Sequence, residues 1–390
     1  MNKINIGSLF QFIRNGMNIK QDKSGLGLPI TRIETISEAV IDSTRVGYAN
    51  LTEKEASSWF LENGDILFSH INSVQHIGKC AIYRGLPNPL VHGMNLLCFR
   101  CDQTKLYPEY AKYLLQSKQF RVQLSTCIKK AVNQASVSIR DIQDIVVVVP
   151  SLPEQQRIAK ILDQADALRA KRLATLSMLD TLTQSLFLDM FGDPVLNTKN
   201  WPRKYINDIA TVVTGNTPPR VNPQYYGDEI EWIKSDNINT PNYYLTRAEE
   251  GLSKLGCQIG RIVPAGSILV TCIAGSPECI GNSAMADRDV AFNQQINALI
   301  PNQGNAHFIY NQLQIGKKLI QQASTKGMKG IVSKSRFERI EIIWPPDTIQ
   351  ERFAKKVITI QEEIGKQRDS FRMFDELFTS LQHRSFNGVL

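Results

Sequence analysis

The side chains of this 390-residue chain best suited to chemistry are amides and cations gathered in short polar loops. An Asn or Gln sets a hydrogen-bond donor beside an acceptor, the pattern that reads a base edge, while Lys and Arg meet phosphates. In the second half these are Lys234 and Asn237 in Lys234-Ser235-Asp236-Asn237, Asn293 and Gln294 in Asn293-Gln294-Gln295, and Lys326 and Lys329 in the run Ser324 to Gly330. Their counterparts in the first half are Arg32, which follows Thr31, the segment around His92-Gly93-Met94-Asn95, and Lys129, Lys130, Asn133 and Gln134. The two lysine-bearing loops sit at equivalent places, each just before a Val-Ser pair and the final strand of its half. Glycines on both sides of Met328-Lys329 permit close backbone approach to a ligand, so a phosphate contact is expected there. The chemistry these groups imply is non-covalent recognition of a polyanion.

Residues for bond-breaking chemistry are missing from the patterns that would organise them. The Gly-Lys pairs at Gly78, Gly316 and Gly365 are not followed by Ser or Thr, so no phosphate-cradling nucleotide loop is written, and Gly25-Leu26-Gly27 lacks the third glycine of a dinucleotide loop. No Asp or Glu has a Lys two residues downstream, which removes the E-x-K half of a common nuclease metal site. Pro218-Pro219 in Asn216-Thr217-Pro218-Pro219-Arg220 is out of register with the N-P-P-Y/F pattern of adenine methyltransferases and reads as a turn. Five His residues show no ligand spacing, and the single CxxC at Cys98 and Cys101 has no second pair, so the seven cysteines read as reduced, mostly core thiols. Neither a metal nor a cofactor is implied.

The elements that must position the loops follow from an internal repeat. Pro150, Gln155, Arg157, Ala159 and Lys160 recur 195 residues later as Pro345, Gln350, Arg352, Ala354 and Lys355, and the match continues through Asp180 with Asp375, Leu182 with Leu377 and Leu186 with Leu381. Upstream the offset is 202: Gly64-Asp65-Ile66-Leu67 with Gly266-Ser267-Ile268-Leu269, Asn95 with Asn297, and Arg32 with Lys234. Apolar residues at helical spacing make each repeated segment one long helix, with prolines at or just before the starts, Asp347 or Thr348 as a cap of the second, and Gly192 and Pro194 ending the first. Two copies of one helix can pair antiparallel about a pseudo-twofold axis. Short apolar runs such as Ile145 to Val149 and Ile340 to Trp344 read as strands, and Tyr107 to Leu124 and His307 to Ala323 as helices. The expected fold is α+β: globular domains over 1–150 and 193–345, and long helices over 151–192 and 346–390.

Charge follows the same division. Residues 1–150 carry 17 Lys+Arg against 12 Asp+Glu and 193–345 carry 16 against 13, while both helical segments are balanced. All the excess positive charge therefore lies in the globular domains, where it suits a polyanionic partner. About 35 residues of helix span roughly 50 Å. Two domains on such a spacer would meet one face of a duplex at sites about one turn, roughly 34–36 Å, apart. No apolar run is long enough for a bilayer and no signal-peptide pattern opens the chain, so a cytoplasmic protein without a membrane partner is expected.

The duplicated Pro…Gln-x-Arg-x-Ala-Lys helix start, the Leu-rich helix ending near Phe191-Gly192-Asp193-Pro194, the Trp201-Pro202 entry and the Thr214-Gly215-Asn216-Thr217-Pro218 turn resemble the specificity subunit of type I restriction–modification enzymes. That resemblance implies two target-recognition domains, each reading half of a bipartite double-stranded DNA site, separated by two long antiparallel helices. It also implies docking of two DNA methyltransferase subunits on the helices and their flanks, with restriction (translocase) subunits joining. The first helix start departs from the second in having Pro153-Glu154 where the second has Thr348-Ile349. A non-catalytic sequence reader is thus expected; a helical scaffold without DNA affinity, or a self-contained methyltransferase or nuclease, are the alternatives.

Overall fold

A computed structural model of the chain describes residues 3–131, 134–325 and 330–388. The chain divides into two compact units, 1–172 with 370–390, and 173–369. Each is an α+β body built on a four-stranded antiparallel sheet, and each contains part of both long helices.

In the first unit the sheet holds β1 (Phe10–Asn15), β2 (Ile66–Ser69), β3 (Cys80–Ile82) and β4 (Leu96–Cys101), in the order β1-β4-β2-β3. Ile66 pairs with Phe99 and Phe68 with Leu97, which puts Phe68 and Phe99 on one face with Phe10 and Ile13. That face is covered by α1 (Pro108–Gln116) and by the start of α2 (Leu152–Phe191), whose Ile158, Ala159, Leu162 and Ala165 are buried. The opposite face carries Leu67, Leu96 and Cys98 into a second cluster with Tyr83 and Leu90. Period-two alternation buried on both sides explains why these strands read as continuous apolar runs.

The second unit repeats the plan. Strands β5 (Ala210–Thr214), β6 (Ile268–Thr271), β7 (Ser283–Met285) and β8 (Ile296–Pro301) take the order β5-β8-β6-β7, and α3 (Ala306–Ile315) stands where α1 stands in the first unit. In both, a strand at the domain's start pairs antiparallel with one at its end, Lys3–Asn5 with Val146–Val148 and Arg203–Tyr205 with Glu341–Ile343. The domain is thereby closed just before its long helix begins. Gly64 and Gly266, 202 residues apart, both take positive φ, 96° and 87°, in the turn entering β2 and β6. A side chain there would be strained, so glycine is required in both copies.

One sequence expectation is corrected in each unit. Tyr107 to Leu124 is not one helix: α1 ends at Gln116, Ser117 is extended (φ −64°, ψ 150°), and a second helix runs Lys118–Cys127 with the Ser117 hydroxyl accepting from the Phe120 N–H. His307 to Ala323 is likewise broken at Gly316 into α3 and Lys317–Gln322. Apolar periodicity runs across both breaks, while a capping serine and a glycine redirect the backbone.

The second long helix, α4 (Asp347–Phe386), begins at Asp347 itself, after Pro345-Pro346. Within the first unit Arg169 of α2 reaches Asp375 of α4 at 2.5 Å and lies over the Phe378 ring, while Arg172 lies over Phe374. Advancing along α2 thus means retreating along α4, so the paired segments are antiparallel. The second unit shows the same sense: Phe187 and Phe191 meet Phe353 edge to face at 5.5 and 5.3 Å, and Asp180 feels the charge of Arg368.

A buried glutamine clasps each helix start to its domain. The Gln155 Oε1 accepts from the Tyr107 N–H at 2.8 Å and its Nε2 donates to the Pro150 and Lys105 carbonyls, both at 2.9 Å. Gln350 accepts from the Asn305 N–H at 3.0 Å and donates to the Pro345 carbonyl at 2.9 Å. Both side chains are essentially inaccessible, and their hydrogen bonds tie the residue just before α1 or α3 to the first turn of α2 or α4. The duplicated glutamine of the sequence is therefore a structural joint, and its burial without a partner would carry a desolvation cost.

Candidate nucleic-acid interface

In each unit the turn that opens on Arg32 or Lys234 lies against a neighbouring loop singled out by sequence, His92-Gly93 or Asn293-Gln294-Gln295. The second unit's Lys234 follows the strand Tyr226–Ile233 and opens a 3-10 turn, Ser235–Asn237. The Lys234 N–H donates to the Asn237 side-chain oxygen at 3.0 Å, and the Asn237 amide nitrogen donates to the Arg247 carbonyl at 2.9 Å. Asn237 is buried, so its hydrogen-bonding groups are spent on holding the turn that presents Lys234. The first unit builds the same turn from other residues. Arg32 opens Ile33–Ile36, and its N–H donates to the buried Thr35 hydroxyl at 2.9 Å.

The neighbouring loop lies alongside in each case. The Asn293 N–H donates to the Ile233 carbonyl at 3.0 Å, and the Ser235 hydroxyl reaches the Gln295 side chain at 3.3 Å. In the first unit the Gly93 N–H donates to the Thr31 hydroxyl at 2.9 Å, and the Thr31 N–H to the Val91 carbonyl. Asn293 is buried and bonds Gln295 through both ends of its amide; Gln294 is exposed and accepts from the Thr217 hydroxyl. Gly215 lets this loop close: a Cβ there would stand 2.1 Å from the Asn293 carbonyl oxygen.

Lys129 and Lys130 form one arm of a hairpin, paired with Ala135–Ser136, which pairs in turn with Ile71–Asn72 just beyond β2. Both lysines and Gln134 are exposed, and Asn133 lies outside the described residues. In the second unit Gly330–Ile331 pairs with Ile273–Ala274 just beyond β6, as Ala135–Ser136 pairs with Ile71–Asn72 just beyond β2. Lys326 and Lys329 fall outside the described residues.

Sequence reasoning missed the groups that surround the leading cations. Glu250, whose carbonyl accepts from the Trp232 N–H, takes hydrogen bonds on its carboxylate from the Lys234 ammonium at 2.7 Å and from Arg220 at 2.7 Å. The Arg220 guanidinium also lies over the Tyr226 and Trp232 rings, at 4.4 and 5.1 Å from their centroids. In the first unit Glu34 binds Arg32 at 2.8 Å and Lys23 at 3.7 Å. Hydrogen bonds from Lys234 and then Arg220 hold the Glu250 carboxyl below the ordinary carboxylate range. Burial works the other way on Glu34, but hydrogen bonding and the Arg32 guanidinium outweigh it and its pKa also falls. The available signal was Arg220 itself, at the end of a turn followed by Tyr225, Tyr226 and Trp232. Partner carboxylates cannot be read from sequence, because Glu250 lies 16 residues from Lys234 while Glu34 lies two from Arg32.

Among the described residues no group of three or more His, Cys, Asp or Glu is placed to hold a metal ion, and no helix is long and apolar enough to cross a membrane. The turns that carry Arg32 and Lys234 are locked by side-chain hydrogen bonds and leave cations at the surface. The model of the type I restriction modification DNA specificity domain matches twice, over residues 1–178 and 198–370. The chain belongs to this family. It is 30% identical to the putative type I restriction enzyme MjaX specificity subunit of Methanocaldococcus jannaschii over 98% of this chain and 92% of that one. To the EcoKI specificity subunit of Escherichia coli it is 29% identical over 48% of this chain and 42% of that one. Among solved structures, the S subunit of a type I restriction–modification system from M. genitalium shares the fold with a TM-score of 0.62 at 13% identity, covering 99% of this chain and 96% of that one. A chain from a type I system described in terms of complex assembly and conformational transition gives 0.54 at 14% identity, covering 100% and 98%. Members of this specificity family recognise DNA sequence, and this chain is one of them. Its two matched segments correspond to the two copies of the internal repeat.

Proposed function

We propose that the chain is the non-catalytic reader of a type I restriction–modification complex, working on duplex DNA in the cytoplasm. The domain over 1–150 reads one half of a split site and the domain over 193–345 the other. The helical segments 151–192 and 346–390 set the gap between half-sites and, with their flanks, dock two DNA methylation subunits; restriction subunits join that assembly. The observation that carries this reading is the repetition of one frame, with a basic residue on an equivalent locked turn, Arg32 or Lys234, and a loop at an equivalent exit in each half. A duplicated reader on a helical spacer fits a target that is itself divided. Arg32, Lys129, Lys130, Asn133, Gln134, Lys234, Gln294, Lys326 and Lys329 are the proposed contacts, with Asn237 and Asn293 setting the backbone around them.

The test is to co-express the chain with its neighbouring methylation subunit and map methylated adenines across the host DNA. A single split motif with a fixed gap is expected. Deleting seven residues, about two helical turns, from one long helix should then alter the gap or abolish assembly. A continuous motif would mean that only one domain reads DNA, and no methylation above the partner's own background would return the chain to a scaffold role. The chain alone with Mg²⁺ or S-adenosylmethionine is expected to neither cut nor methylate.

A further inference from the structure

The two units share an arrangement that the family membership does not assign: one carboxylate holding two cations at the turn that leads the proposed interface. Glu250 bridges Lys234 and Arg220, and Glu34 bridges Arg32 and Lys23. Arg32 and Lys234 occupy the same place in the repeat, whereas the carboxylates come from unrelated positions. The same electrostatic grouping is therefore built twice from different parts. It is also open to a ligand: the Glu250 side chain is 36% exposed, Lys234 33% and Arg220 54%. Surface ion pairs of this kind contribute little to folding, so a fold-stabilising role gives a weak reason for the group.

We propose that Glu34 and Glu250 are specificity-determining counter-ions, which occupy the cations until a duplex in the correct register delivers a phosphate to replace the carboxylate. This rests on the DNA-reading role proposed above. With a non-cognate duplex, the carboxylate competes for the same cations and repels the approaching backbone, so the non-specific affinity that every phosphate contact would otherwise supply is reduced. With the cognate site, the base contacts hold the strand close enough for the phosphate to win. The Arg220 and Lys234 groups keep partial compensation during the exchange, because Trp232 lies under both, at 5.1 and 5.5 Å.

The test uses Glu250→Gln and Glu34→Gln in the complex with the methylation subunit, titrated against the mapped site and against a duplex of the same length lacking it. Glutamine keeps an acceptor for the cation and removes the charge from a partly exposed position, which protects the fold. Non-specific binding is expected to tighten about fivefold per substitution near 0.1 M salt, with its salt slope steepening by roughly one. Cognate affinity should change less, so that the ratio of cognate to non-specific affinity falls. A merely structural carboxylate would give the opposite sign, with weaker cognate binding and no gain on the non-specific duplex. Unchanged or weakened non-specific binding overturns the proposal. If the unsubstituted complex itself shows no salt-dependent affinity for either duplex, the DNA-reading role fails instead, and the two failures are told apart by that control.

Discussion

The junction between long helix and domain is filled differently in the two units, although the backbone frame is the same. In the first unit Phe378 of α4 is buried against Tyr113 of α1, with ring centroids 6.0 Å apart, and the Arg169 guanidinium lies over its ring at 4.5 Å. The residue 195 positions earlier, Thr183 of α2, stands at the corresponding junction of the second unit. There a cleft of about 450 Å³ opens between Asp180, Thr183, Tyr243, Tyr310, Gln361 and Arg368. Both junctions keep the glutamine clasp, Gln155 or Gln350. Hydrogen bonds at the joint thus define the common frame, while side-chain volume beside it varies without changing the sheet order or the helix sense.

The largest effect should come from exchanging the two fillings. Phe378→Thr removes an aromatic ring from a closed site and is expected to destabilise the first unit by about 3 kcal/mol. The converse, Thr183→Phe, puts a ring into existing space and should stabilise the second unit by roughly 1 kcal/mol. Hydrogen exchange resolved by segment reads both, since each change should appear in its own unit. Destabilisation by Thr183→Phe would mean that the cleft does not have the shape of its counterpart.

The next contrast is acid sensitivity. His92 and His70 are buried in the first unit, and burial pushes both down to about 4, for His92 against a smaller opposing effect of its hydrogen bond to the Leu96 carbonyl. An unfolded chain takes up these protons near pH 6.5, whereas the folded unit resists until about pH 4. Stability from this source is complete above the unfolded value and is lost as pH falls through that window. His92 alone should reduce the first unit's stability by about 2 kcal/mol at pH 5. The second unit's one histidine, His307, is half-buried, with its pKa lowered by burial, and bonds the Tyr243 hydroxyl at 2.9 Å. Between pH 7 and 5 the first unit should therefore lose protection sooner. Equal loss in both units would show that the buried histidines do not set the difference, and His92→Gln should flatten the first unit's response.

The comparison also shows what the sequence could carry. The long helices, the repeat and the strands entering at Gly64 and Gly266 were legible because periodicity and a glycine turn are local properties. The breaks at Ser117 and Gly316 were not, since a cap overrode an unbroken apolar pattern. At the interface, Lys234 and Arg32 could be picked out by type and repeat position. The sequence could not tell that Asn237 and Asn293 turn inward while Gln294 turns outward, because that depends on which backbone groups lie within reach across the loops. Nor could it show the clasp, where Gln155 meets Tyr107 only after the domain has closed.

The finest contrast is between the exposed hairpin lysines and the cations already held by carboxylates. Lys129 and Lys130 lie on a two-residue strand held to Ala135–Ser136 by backbone pairing, so replacing them leaves the frame intact. A phosphate contact contributes to affinity for any sequence and gives a salt slope of about −0.9 per contact. Lys129→Ala and Lys130→Ala should each weaken binding to cognate and non-specific duplexes alike and reduce the slope by roughly one. Lys326→Ala and Lys329→Ala are expected to do the same in the second half. Lys234→Ala should behave differently: its ammonium is already paired with Glu250, which it shares with Arg220, so on a non-specific duplex the slope should change by less than one, and the deficit should appear on the cognate site. Titrations of the complex from 50 to 200 mM salt separate these patterns. A full unit of slope lost on the non-specific duplex with Lys234→Ala would place that lysine among the free phosphate contacts and remove the distinction between the two kinds of cation.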